Sequence, residues 1–139
     1  MIRVALAIVA ATVTLVSCAT PVCVCGGPPT APVVSPTAGF DVLITDTDRA
    51  VTVRSGQRVE LILHAKPGMS DWGGVNVDDY TVLRAIPTGI IAPRGVTIAG
   101  YEAVRPGSAT IRATATPLCS PGQACPAFAM VFEVTVTVT

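Results

Sequence analysis

Phe132-Glu133-Val134-Thr135-Val136-Thr137-Val138 alternates without a break, with Phe132, Val134, Val136 and Val138 on one side and Glu133, Thr135 and Thr137 on the other. Successive side chains of a strand point to opposite faces, so this repeat predicts a strand with one buried and one wetted face. Upstream, Ala109, Ile111 and Ala113 share one face of a second long strand. Between the two lies Cys119-Ser120-Pro121-Gly122-Gln123-Ala124-Cys125. Pro-Gly is a turn signal, so the segment predicts a loop capping a hairpin.

The same alternation recurs towards the N-terminus. Val59-Glu60-Leu61-Ile62-Leu63-His64 follows Ser55-Gly56-Gln57 and directs Val59, Leu61 and Leu63 inward. Shorter strands are expected at Val42 to Thr45, Val51 to Arg54, Val75 to Val77, Tyr80 to Leu83 and Thr97 to Val104, separated by Gly, Pro and Asp. About seven short strands in about 100 residues predict an all-β fold, an immunoglobulin-like antiparallel β-sandwich. Trp72, the only tryptophan, suits the core of such a sandwich, with an interface anchor as its other reading. Tyr80 is expected to pack on the sheet.

Composition agrees with strands and limits the partners. The 139 residues carry zero formal net charge, and charged side chains are 13% of the chain. There is no basic stripe to neutralise phosphates, which argues against nucleic acid. Nor does an acid, base and nucleophile set for catalysis stand out. His64, the only histidine, reads as an exposed strand-end residue, because nothing places a nucleophile beside it. Asp71, Asp78 and Asp79 match no calcium-loop spacing and read as solvated turn carboxylates. No cofactor and no metal site are expected.

The N-terminus supplies an address. Arg3 precedes the uncharged apolar run Val4 to Val16, which ends in Leu15-Val16-Ser17-Cys18. The run is shorter than the about 20 apolar residues that span a bilayer and has the layout of an export signal. It resembles the lipobox of bacterial lipoproteins, which implies cleavage before Cys18 and diacylglyceryl modification of its thiol; the alternative is a secretory peptide cut after Ala19. The first reading gives a signal peptide at 1–17, a proline-rich tether at 18–38 holding Pro28, Pro29, Pro32 and Pro36, and a folded domain at 39–139. The protein is then expected in the cell envelope, extracytoplasmic and lipid-anchored to the membrane.

Five cysteines in an exported chain invite pairing. With Cys18 given to lipid, four remain, and the Pro121-Gly122 turn can bring Cys119 and Cys125 into a disulfide. Cys23 and Cys25 are separated by one residue; they pair otherwise, stay free or bind a soft metal.

Tyr101-Glu102-Ala103-Val104-Arg105-Pro106-Gly107-Ser108-Ala109-Thr110-Ile111 resembles the aromatic-x-Ala-x-x-Pro-Gly-x-Ala-x-Ile pattern of bacterial immunoglobulin-like domains. From Gly56 to Thr139 the order of elements is similar to chagasin-type inhibitors of papain-family cysteine peptidases. The resemblance implies that three loops meet at one end of the sandwich and block the cleft of a papain-like cysteine peptidase. The first loop is Lys66, Pro67, Gly68, Met69, Ser70, Asp71 and Trp72; Pro67 and Trp72 keep the family's frame of Asn-Pro-Thr-Thr-Gly followed by an aromatic, whereas Lys66, Gly68, Met69, Ser70 and Asp71 depart from it. The second loop lies at Pro93, Arg94 and Gly95. The third begins at Pro117 and Leu118, where the family's Arg-Pro-Trp gives way to the cysteine loop. The function expected is that of a non-enzymatic, lipid-anchored binding module, most concretely a chagasin-like peptidase inhibitor. The alternative is a structural envelope lipoprotein with no inhibitory activity.

Overall fold

The computed structural model describes residues 35–139. Lipidation at Cys18, the state of Cys23 and Cys25, and most of the tether lie outside them. Eight strands follow in order: β1 (Val42–Thr45), β2 (Ala50–Val53), β3 (Arg58–His64), β4 (Gly73–Val77), β5 (Leu83–Ile86), β6 (Val96–Ala103), β7 (Gly107–Ala115) and β8 (Met130–Val138). They form two four-stranded sheets, ordered β1-β3-β6-β5 and β2-β8-β7-β4. The described residues are an all-β sandwich. The interior pairings, β3 with β6 and β7 with β8, are antiparallel, as are β5 with β6 and β4 with β7. The edge strands β1 and β2 instead run parallel to β3 and β8.

The core follows from the alternation. Val59, Leu61 and Leu63 of β3, Ile111 of β7 and Phe132, Val134 and Val136 of β8 are all buried. Each such side chain contributes about 1.5–3 kcal/mol by leaving water. The hairpin register sets small against large: Ala113 lies opposite Phe132, and Ala109 opposite Val136. An alanine beside the phenylalanine leaves its ring the volume it needs, as close packing requires.

On β3, burial extends to the second face. Glu60 is fully buried, and its Oε2 accepts the Thr37 N–H at 2.7 Å. Facing it across the sheet, Gly100 leaves the space that the Phe40 ring occupies; a Cβ there would sit 3.1 Å from the ring. The Asp41 N–H donates to the Arg58 carbonyl at 2.8 Å, and the Arg58 N–H returns a bond to Asp41 Oδ2 at 2.8 Å. The chain is therefore tied to the sheet from Thr37, ahead of Gly39.

One predicted strand is displaced. Tyr80 to Val82 is a turn, and β5 starts only at Leu83. Asp79 Oδ1 accepts both the N–H and the hydroxyl of Thr81, the N–H at 2.8 Å, and this local bonding competes with the sheet. Tyr80 is thereby turned out to 59% exposure and does not pack on the sheet. The Pro106-Gly107 turn carries the chain from one sheet to the other. A Cβ at Gly107 would lie 2.7 Å from Val82 Cγ2, which is why this turn is closed by glycine.

Candidate functional site

β3 ends at His64, β6 begins at Val96 and the β7–β8 hairpin opens beyond Ala115, all at the same end of the sandwich. Val96 is the register partner of His64, and Gly73 at the start of β4 is the partner of Thr114. The sandwich thus brings together the three loops singled out in the sequence.

The first loop is built on a tight turn. Pro67 occupies the second position of Lys66-Pro67-Gly68-Met69 and Gly68, at φ 76°, the third; the Met69 N–H closes the turn onto the Lys66 carbonyl at 3.0 Å. Proline followed by a residue of positive φ is the composition of a type II turn, which only glycine adopts without strain. Beyond the turn the chain dives inward. Met69 and Trp72 are buried, the indole N–H donates to the His64 carbonyl at 2.9 Å, and the ring meets Phe132 edge-on at 6.2 Å. These two members of the loop support it from beneath; their burial removes them from the exposed surface, and Trp72 holds the core position. Lys66, Pro67, Gly68 and Asp71 remain exposed above them, with Ser70 half-buried.

The other loops are bonded to this one. The Ser70 N–H donates to the Thr116 carbonyl at 2.8 Å, the Thr116 N–H to Ser70 Oγ at 3.1 Å, and the Leu118 N–H to the Gly68 carbonyl at 2.9 Å. Met69 and Pro117 form an isolated antiparallel bridge at the centre of this contact. The Ala65 N–H donates to the Gly95 carbonyl at 2.7 Å, which draws in the loop carrying Pro93 and Arg94. Thr97 Oγ1 donates to the Trp72 carbonyl at 2.8 Å, fixing the start of β6 to the end of the first loop. Backbone groups at the loop bases are satisfied by other loops, so the three form one framework.

Two features escaped the sequence reading. The β1–β2 loop joins this end: Asp46 accepts a short charge-assisted bond from Lys66, and the Arg49 guanidinium sits 5.6 Å from the centre of the Phe132 ring. Arg49 also donates to the carbonyls of Asp46 and Asp48, at 3.1 and 2.8 Å. The Lys66 bond holds the Asp46 carboxyl below its usual range. The second feature is an apolar display. Beside Leu118, expected in the third loop and 68% exposed, stand Ile91 at 95% and Phe128 at 55%, with Ile90 next to Ile91 in the same loop as Arg94. A proline-bounded run, Pro87 to Pro93, was the available signal, because it places two isoleucines where no strand can bury them.

The third loop is closed by the Cys119–Cys125 disulfide, with a Cα separation of 5.6 Å. Within it the Gln123 N–H bonds the Ser120 carbonyl at 3.2 Å across Pro121-Gly122. His64 is exposed at its strand end; Asp78 accepts the Thr110 N–H at 2.7 Å, and Asp79 organises the turn already described. Among the described residues, no three His, Cys, Asp or Glu side chains gather as a metal site, and no pocket opens.

Neither a family model nor a curated protein sequence matches the chain. Among solved structures it is similar to the cysteine protease inhibitor EhICP2 from Entamoeba histolytica, at 14% identity over 70% of this chain and 95% of that one, with a TM-score of 0.49. It is also similar to amebosin, at 23% identity over 73% of this chain and all of that one, with a TM-score of 0.42.

Proposed function

We propose that the chain is a non-enzymatic binding module, anchored outside the cytoplasm through lipid on Cys18, whose loop end blocks the cleft of a papain-like cysteine peptidase. The observation that carries the reading is the cross-bonded loop framework, in which Leu118 is tied through its backbone to Gly68 while its side chain stays 68% exposed. Leu118, Ile91 and Phe128 offer apolar anchors on a base already fixed by hydrogen bonds and by the buried Met69 and Trp72. Rigid loops lose little entropy on docking, so more of the contact energy appears as affinity. Lys66, Pro67, Gly68, Ser70, Asp71, Pro93, Arg94, Gly95 and Pro117 belong to the same loops and would add polar and backbone contacts to those anchors. The sequence resemblance to chagasin-type inhibitors supports the choice of partner, and the occlusion needs no chemistry from this chain.

The test is a titration of purified protein against several papain-like peptidases. Stoichiometric loss of peptidase activity at micromolar concentration supports the reading. Full activity throughout would remove the peptidase as partner. Mass spectrometry of the protein isolated from membranes tests the anchor separately: a diacylglyceryl mass on an N-terminal Cys18 supports it, and a free thiol there removes it.

A further inference from the structure

The disulfide sits at the edge of the proposed contact surface. Cys119 directly follows Leu118, whose backbone is bonded to Gly68, and both half-cystines are exposed. The framework does not depend on the bridge: Thr116 and Leu118 are held by Ser70 and Gly68, while residues 119–129 are exposed throughout. Opening the disulfide would therefore disturb no buried contact.

From this placement we infer that the Cys119–Cys125 disulfide is an electrophile that can capture the thiolate of the bound partner, making the module a reversible covalent trap for thiol enzymes. The inference rests on the peptidase reading, because a papain-like partner brings a reactive thiolate to the surface that the loops cover. The partner's thiolate attacks one sulfur of the disulfide in line with the S–S bond. A new intermolecular S–S bond forms, the old one breaks, and the departing sulfur takes the electron pair and then a proton from water. No outside oxidant or reductant is consumed, since one disulfide replaces another.

The surroundings distinguish the two sulfurs. Cys119 Sγ lies 3.8 Å from the Pro117 carbonyl oxygen, whose negative end repels an approaching thiolate. Attack at Cys125 avoids that oxygen and releases Cys119, which once protonated has the same carbonyl waiting as a weak acceptor. The freed Cys119 stays on the same short loop as the mixed disulfide. It can therefore attack back, restoring the original bridge and the free enzyme.

The experiment incubates the full-length oxidised protein with papain without reductant and follows peptidase activity and non-reducing mass spectrometry. The expected result is a species at the summed mass of the two chains, joined through Cys125, that dithiothreitol returns to the two separate chains. Papain alkylated at its catalytic cysteine should give no such species. A C119S/C125S double variant separates the two readings. If it and the wild type inhibit equally and no adduct forms, the disulfide inference is overturned and the occluding module stands. If neither form inhibits and no adduct appears, both readings are overturned. The adduct is read on the wild-type protein, so the outcome survives a double variant that folds poorly.

Discussion

The Leu118 N–H donates to the Gly68 carbonyl at 2.9 Å while the Leu118 side chain remains 68% exposed. One residue thus performs two separable tasks, with its backbone joining two loops and its side chain facing outward. Leu118→Ala keeps the hydrogen bond and removes only the apolar contact. Its stability should stay within about 0.5 kcal/mol of wild type, as for exposed positions generally. Binding to a peptidase should weaken by about 1–3 kcal/mol if the side chain is an anchor. Chemical denaturation and inhibition titrations of the same sample check both halves, with Ile91→Ala and Phe128→Ala expected to behave alike.

Trp72 gives the opposite pattern. Its ring is buried against Phe132, and its indole N–H is spent on the His64 carbonyl. Trp72→Ala should cost about 3–5 kcal/mol of stability, the range for emptying a large aromatic site. Trp72→Phe should cost less, about 1–3 kcal/mol, much of it from leaving the His64 carbonyl without its donor. Urea unfolding measures both. A Trp72→Ala protein as stable as wild type would show that the ring is not a core element.

The legible part of the fold was the part in which one face alone is buried. The strands β7 and β8 follow from alternation, because Ile111, Val134 and Val136 are buried while Arg112 and Glu133 stay in water. β5 was misplaced because periodicity does not register an aspartate bonding its neighbours; Asp79 turns Thr81 and Tyr80 out of a stretch that otherwise reads as strand. The burial of Glu60 was equally hidden, since it depends on Thr37 and Phe40 folding back over the sheet. At the loop end, the sequence located the three loops but not the orientation of their side chains. Met69 read as a contact residue, yet its bridge to Pro117 turns it beneath the loop. The exposure of Ile91 is legible only from the prolines that bound its loop, because nothing in an apolar residue's own identity says that it will be left uncovered.

Gly107 offers a test of the crossover between the sheets. An added Cβ would come within 2.7 Å of Val82 Cγ2, and Val82 is buried with its carbonyl accepting the Val104 N–H at 2.9 Å. Buried in the core, the valine side chain has little room to turn aside. Gly107→Ala should therefore destabilise by about 1–3 kcal/mol, as overpacking does. A second change, Val82→Ala, should recover part of the loss by clearing the space. Thermal melting of the single and double variants measures the coupling; strictly additive losses would show that the two side chains do not compete.

Acid should loosen the sandwich, and the direction follows from the carboxylates. The Lys66 bond lowers Asp46, the Thr110 N–H lowers Asp78, bonds from Thr81 lower Asp79, and the Arg84 bond lowers Glu102. A group whose folded value is depressed binds a proton more readily when unfolded. Its stabilisation is complete above the unfolded value, about 3.9 for aspartate and about 4.3 for glutamate, and is lost as pH falls through the lower folded value. Melting temperature should therefore be insensitive to these four groups near neutrality and decline below about pH 4. Asp46→Asn removes the charged link between the β1–β2 loop and the Lys66 loop, so its melting temperature should be lower at neutral pH and fall less on acidification. Melting curves from about pH 2 to about pH 7 for both proteins provide the check. A variant curve superimposed on the wild type would show that the Asp46–Lys66 pair contributes nothing to stability, leaving the Lys66 loop to be held by its backbone bonds alone.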